Sequence, residues 1–164
     1  MSAARPGPLN LITDVPGLKV GQSEDLRARS GVTVILPDER AVAACDVRGG
    51  APGTRETDAL TSDTVVDAVD AVVIAGGSVY GLAAADGATA LLGAAQRGFR
   101  LAGAPDAPVS PVIPAAILYD LANGGAKDWG MAPPYRALGL AAGRAANERF
   151  DLGTAGAGYG AMPQ

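Results

Sequence analysis

The chain has 164 residues, of which 48% are apolar, 18% charged and 4% aromatic, with a formal net charge of −4. That length suits one domain, and that apolar share excludes a wholly disordered chain. With 0 His and 1 Cys, the sequence cannot supply a Ser-His-Asp triad, a Cys-His dyad, a His-based zinc site or an intrachain disulfide.

Residues 1–9 read as a flexible N-terminal arm and residues 10–164 as a single domain. The first ten residues hold one Arg and no apolar run, so they do not read as a secretory signal. Leu18-Lys19-Val20 follows the Val15-Pro16-Gly17 turn as a short strand, and Gln22 to Ser30 reads as charged and exposed. Gly31 to Leu36 (GVTVIL) and Ala41 to Val47 (AVAACDV) read as two strands. The Asp38-Glu39-Arg40 turn between them makes an antiparallel hairpin the simplest pairing.

Arg48 to Thr57 (RGGAPGTRET) is too rich in Gly and Pro for regular structure. Ser62 to Val69 reads as a short helix capped by Ser62. Ala71 to Ala75 (AVVIA) is a buried-type strand running into Gly76-Gly77-Ser78, and Val79 to Arg97 has helical spacing. Its Ala- and Gly-rich surface predicts burial between layers. Leu101 to Pro111 is a Pro-rich connection. Val112 to Leu121 (VIPAAILYDL) reads as a strand with a bulge or edge at Pro114. Pro133-Pro134 opens a helix over Tyr135 to Glu148. Thr154 to Ala161 (TAGAGYGA) is a strand or a loop. This pattern predicts an α/β (α+β) layered sandwich. The most apolar stretch, Ala68 to Ala75, is broken by Asp70 and too short to span a bilayer, and the acidic balance offers nucleic acid no footprint. The expected setting is the cytoplasm, with neither membrane nor nucleic acid as partner.

Three segments carry chemistry. At Ala71 to Leu82 (AVVIAGGSVYGL), a strand meets a helix through Gly76-Gly77. Backbone N–H groups there can hold an anion or a carbonyl oxygen, or the turn is simply tight. It is a poor dinucleotide fingerprint, since GGSVYG is not GxGxxG. In CDVRGG (Cys45 to Gly50), Cys45 has no His to serve as its base and reads as a small core residue. Asp46 and Arg48 are placed to pair with each other or with Arg55 and Glu56. Tyr119 ends an apolar strand beside Asp120. It either donates its hydroxyl to a developing oxyanion or packs its ring with the hydroxyl in water. Asp14, Asp58, Asp63, Asp67 and Asp70 read as caps and solvated positions.

In order, NLITDVPGLKVGQ (Asn10 to Gln22), GVTVILP (Gly31 to Pro37), CDVRGGAPGTRETDAL (Cys45 to Leu60), VDAVVIAGGSVYGLAAADGA (Val69 to Ala88), VIPAAILYDL (Val112 to Leu121) and GTAGAGYGA (Gly153 to Ala161) resemble the P1/S58 peptidase family. That family includes the DmpA-type L-aminopeptidase/D-esterases and the nylon-oligomer hydrolases. The resemblance covers nearly the whole chain and implies the N-terminal portion of a four-layer αββα sandwich of the N-terminal-nucleophile type. It also implies a precursor that cuts its own backbone before a Ser or Thr, which then attacks N-terminal amino-acid amides, esters, small peptides or ω-amino-acid oligomers. No cofactor and no metal are implied.

Tyr119 stands where the nylon-oligomer branch has its active-site Tyr, so the resemblance gives it the role of oxyanion donor. Gly76, Gly77 and Ser78 match the family's GGS block and are candidates for a substrate-pocket wall. No Ser or Thr here lies in the family's Gly-Asn-Ser/Thr cleavage context. The attacking hydroxyl is therefore expected outside this sequence, on a C-terminal segment that would be its partner. A chain cut there should expose apolar surface and form homo-oligomers. Two other readings are a non-catalytic binding or assembly module and an acetyltransferase of the ornithine acetyltransferase kind.

Overall fold

The computed structural model describes residues 5–162. The first four positions of the expected arm lie outside them, as do Pro163 and Gln164. One mixed sheet of five strands organises the molecule, in the spatial order β1-β2-β4-β5-β3. These are β1 (Leu18–Asp25), β2 (Ser30–Pro37), β3 (Thr54–Arg55), β4 (Val72–Ala75) and β5 (Ala115–Ile117). Only β4 and β5 run parallel, joined by a crossover that contains helix α1 (Ala84–Ala94); helix α2 (Tyr135–Arg144) follows β5.

Both helices pack on one face of the sheet. Strand alternation sends Val32, Val34, Val73, Ala75 and Ala115 to that face, where they meet Ala84, Ala85, Ala88 and Leu92 of α1 and Tyr135, Leu138 and Ala142 of α2. The result is the expected α+β class, with a sheet and a helical layer built mainly from small aliphatic side chains.

The hairpin is not the expected one. β2 pairs with β1 through Leu26 to Arg29, in the register Val20↔Ile35 and Gln22↔Thr33. Its other edge takes β4. With both edges filled, β2 has no place for Ala41 to Val47, whose one ladder contact among the described residues is the bridge Ala41↔Val69. Cys45, expected in the core, is therefore exposed. The segment Gln22 to Ser30 is likewise not all solvated, because β1 continues to Asp25 and Ser30 is fully buried.

Ser62 to Val69 forms turns rather than a helix. Thr64 bonds back to the carbonyls of Ala59 and Thr61, and Val65 lies in solvent, so no apolar face exists to dock a helix. The helix expected from Val79 opens as a 3-10 turn over Ser78–Ala83 before α1. The strand expected over Val112 to Leu121 shrinks to Ala115–Ile117, since Pro114 has no N–H for the ladder and Asp120 turns inward. Residues 154–161 hold a 3-10 turn, Gly156–Gly158.

Asp70 is the main departure among the acids. It is completely buried beside the guanidinium groups of Arg40, at 3.4 Å, and Arg97, at 3.9 Å. Its Oδ2 accepts the Val112 N–H at 2.9 Å, tying β4 to the approach of β5. A buried carboxylate needs such company, and the solvated reading of Asp70 fails for that reason.

Candidate active site

β4 ends at Ala75, and the next residues must turn sharply to start the helix. Gly77 does so at φ +83° and Ser78 at φ +52°, two successive left-handed residues. Gly76 is required for space: a Cβ there would collide with Oδ2 of Asp120 and Oγ of Ser30. At Gly77 a Cβ would strike the ring of Tyr135.

Every N–H of the turn is committed within the protein. Gly76 donates to Gly31 O at 2.9 Å, Gly77 to Asp120 Oδ1 at 2.7 Å and Ser78 to Leu118 O at 3.0 Å. The turn therefore meets a ligand through its shape and through the half-buried Ser78 side chain, and its N–H groups are not available to an oxyanion.

Beneath the turn lies a buried polar network. Ser30 Oγ donates to Asp120 Oδ2 at 2.6 Å, and the Tyr135 hydroxyl donates to Ser30 Oγ at 3.1 Å. Burial pushes the Tyr135 phenol up to about 12; the Ser30 bond pulls the other way, and the charges of Asp120 and Asp25 add to the rise. Nearby, Asn123 Nδ2 donates to the carbonyls of Arg29 at 2.6 Å and Gly160 at 3.0 Å, and its Oδ1 accepts from Lys127 at 3.0 Å. Trp129 stands edge-on between Tyr80 and Tyr135, with centroids 5.7 and 5.8 Å away.

Tyr119 lies at the same end of the sheet and is 56% exposed. Its backbone neighbours both bond to the turn, Leu118 through Ser78 and Asp120 through Gly77. The structure thus brings Tyr119, Gly76, Gly77 and Ser78 into one neighbourhood. Sequence reasoning missed Ser30, Asp120, Asn123 and Tyr135. A charged residue closing an apolar run was the available signal for Asp120; Ser30 and Tyr135 gave none, because their meeting is purely tertiary.

Cys45 and Arg48 fall elsewhere. They line an open cleft of about 410 Å³ on the sheet face opposite the helices, with Val72, Ile74 and Ala116. Arg48 pairs with Asp46 at 2.6 Å in solvent, whereas Arg55 reaches Asp86 on α1 at 2.5 Å and Glu56 accepts the Ile113 N–H at 2.8 Å. Among the described residues no three His, Cys, Asp or Glu side chains converge as metal ligands. No helix there is long and apolar enough to cross a membrane.

An uncharacterized aminopeptidase of Mycobacterium bovis is 44% identical over 161 residues, covering 93% of this chain and 44% of that protein. One of Mycobacterium leprae is 45% identical over 125 residues, covering 71% and 33%. The chain thus spans less than half the length of these relatives.

Among solved structures, the L-aminopeptidase D-Ala-esterase/amidase of Ochrobactrum anthropi superposes with a TM-score of 0.72 at 22% identity, over 99% of this chain and 47% of that one. It is described as a prototype of the serine aminopeptidases and a variant of the Ntn hydrolase fold. A Burkholderia β-aminopeptidase gives 0.69 at 23% identity, over 98% and 45%. At these identities the likeness is one of fold. The model of peptidase family S58 matches residues 10–164, and the chain belongs to that family.

Proposed function

We propose that this chain is the N-terminal part of a self-processing aminopeptidase or amidohydrolase acting on amides, esters or small peptides. In the complete protein, backbone cleavage frees a Ser or Thr lying outside these residues. Its hydroxyl attacks the substrate carbonyl and passes its proton to its own α-amino group. The amine leaves with that proton, and water then hydrolyses the ester. Tyr119 donates its phenolic hydrogen to the oxyanion of the tetrahedral intermediate. Gly76, Gly77 and Ser78 form the wall against which the substrate lies.

The observation that carries this reading is that Tyr119 is exposed and is flanked in the chain by Leu118 and Asp120, which both bond to the strand–Gly-Gly–helix turn. This chemistry uses a hydroxyl and an amine, so a chain with 0 His is no obstacle to it. Family membership and the relatives' name, aminopeptidase, support the substrate class.

The test is hydrolysis of amino-acid p-nitroanilides by the chain alone and by the chain combined with the remainder of its polypeptide. Activity is expected only in the second case. Tyr119→Phe should then cut turnover by about 10²–10³-fold, the usual loss for one oxyanion donor. Unchanged turnover removes Tyr119 from the mechanism, and acetyl transfer between amines in place of release to water replaces the hydrolase reading.

A further inference from the structure

The left-handed pair Gly77-Ser78 persists only because its surroundings fix it, and among the three hydrogen bonds that hold the turn the one made by a side chain is that of Asp120. Its carboxylate is 2% exposed and takes one donor on each oxygen, Gly77 N–H and Ser30 Oγ. Gly160 closes over the same group: a Cβ there would come within 2.6 Å of Oδ2. No Lys or Arg among the described residues forms an ion pair with it. Asp70, the other deeply buried acid, has two arginines beside it. A buried carboxylate held by hydrogen bonds with no ion-pair partner is a costly way to hold a turn, and such costs cluster at functional sites.

The chain geometry says what is being held. Leu118 exchanges bonds with the turn on both sides, donating to Ala75 O at 2.9 Å and accepting from Ser78 N–H at 3.0 Å. Asp120 takes the Gly77 N–H. Tyr119 sits between these two anchors, so its backbone is tied to the turn at both neighbours.

We propose that Asp120 is the positioning residue of this site: its carboxylate clamps the Gly76-Gly77-Ser78 turn to the end of β5 and thereby fixes Tyr119 and Ser78 relative to one another. This rests on the hydrolase reading above. The carboxylate itself is too deeply covered to touch a substrate, so its influence runs through Tyr119.

The test is a double-mutant cycle in the complete polypeptide. Asp120→Ala should lower kcat about 100-fold, the cost of misplacing a catalytic group by about 1 Å, with KM changed less than about twofold. Asp120→Asn keeps a carbonyl acceptor for Gly77 N–H and should restore kcat to within about tenfold of the unaltered protein. Added to Tyr119→Phe, Asp120→Ala should cost less than about threefold more, because the two act as a unit.

Fully additive losses, or an unaltered kcat in Asp120→Ala, overturn the positioning role. If Asp120→Ala does not fold, Ser30→Ala cuts the same clamp more gently. It should lower kcat about tenfold, with that loss again absorbed by Tyr119→Phe, and an unchanged kcat counts against the clamp. Absence of turnover in the unaltered polypeptide overturns the hydrolase reading instead. Amide exchange then decides the clamp: Asp120→Ala must speed exchange at Gly77 while Val32 and Val34 stay slow, and unchanged exchange at Gly77 refutes it.

Discussion

Tyr135 shows how one residue changes meaning between sequence and fold. It reads as the first residue of a helix, yet it is fully buried, bonded to Ser30 and packed under Gly77. Its phenol is raised to about 12, above the unfolded value of about 10. The folded state therefore keeps a proton that the unfolded state loses in that window, so stability is full below pH 10 and declines as pH rises toward 12. Urea unfolding between pH 9 and pH 11.5 should show this decline, less steep in Tyr135→Phe. Equal slopes in the two proteins would place the phenol in an ordinary environment. Cys45 is the converse case: an apolar neighbourhood in sequence, solvent in the fold. Its strand was lost when β1 took the edge of β2, a competition that local pattern cannot register.

Among the elements, the α1–α2 contact depends on glycine. Gly87 and Gly139 lie where the helices touch, and a Cβ on Gly139 would come within 2.7 Å of the Ala84 carbonyl carbon. Gly93 lies on the same α1 but meets only the Pro111 ring, at 3.8 Å. Gly139→Ala should therefore destabilise the protein by about 1–3 kcal/mol through overpacking, outweighing the ~1 kcal/mol gain in helix propensity. Gly93→Ala keeps that gain and should stabilise by up to about 1 kcal/mol. Denaturant midpoints of the two variants decide it, and the reverse order would mean that the helices do not approach this closely. Both helices and β4 were legible from periodicity, with ends off by a few residues. The helix expected over Ser62 to Val69 does not form, because a cap and a short length cannot nucleate a helix that has nothing to pack on.

At the scale of the whole molecule, the helices cover one face of the sheet and leave Val72, Ile74 and Ala116 bordering an open cleft on the other. Val42 and Val47, on the segment displaced from the sheet, add exposed apolar surface. A half-covered sheet of this kind invites a further layer, which under the function proposed above a C-terminal segment would supply. The isolated chain should self-associate with rising concentration in sedimentation experiments and bind a hydrophobic dye, and adding the remainder of the polypeptide should suppress both. A chain that stays monomeric and dye-free at high concentration would mean that this face needs no cover.

The sequence by itself determined the class of fold, the family, the strand–Gly-Gly–helix turn and the candidacy of Tyr119. All of these are carried by residues adjacent in the chain, where spacing and composition act directly. Only the tertiary structure decided which strands pair, which acid is buried and which groups hold the turn. Those outcomes depend on contacts between Ser30, Gly77, Asp120 and Tyr135. Residues so far apart in the chain meet only after the sheet has chosen its order, and that choice is a competition among edges for burial that no local segment encodes.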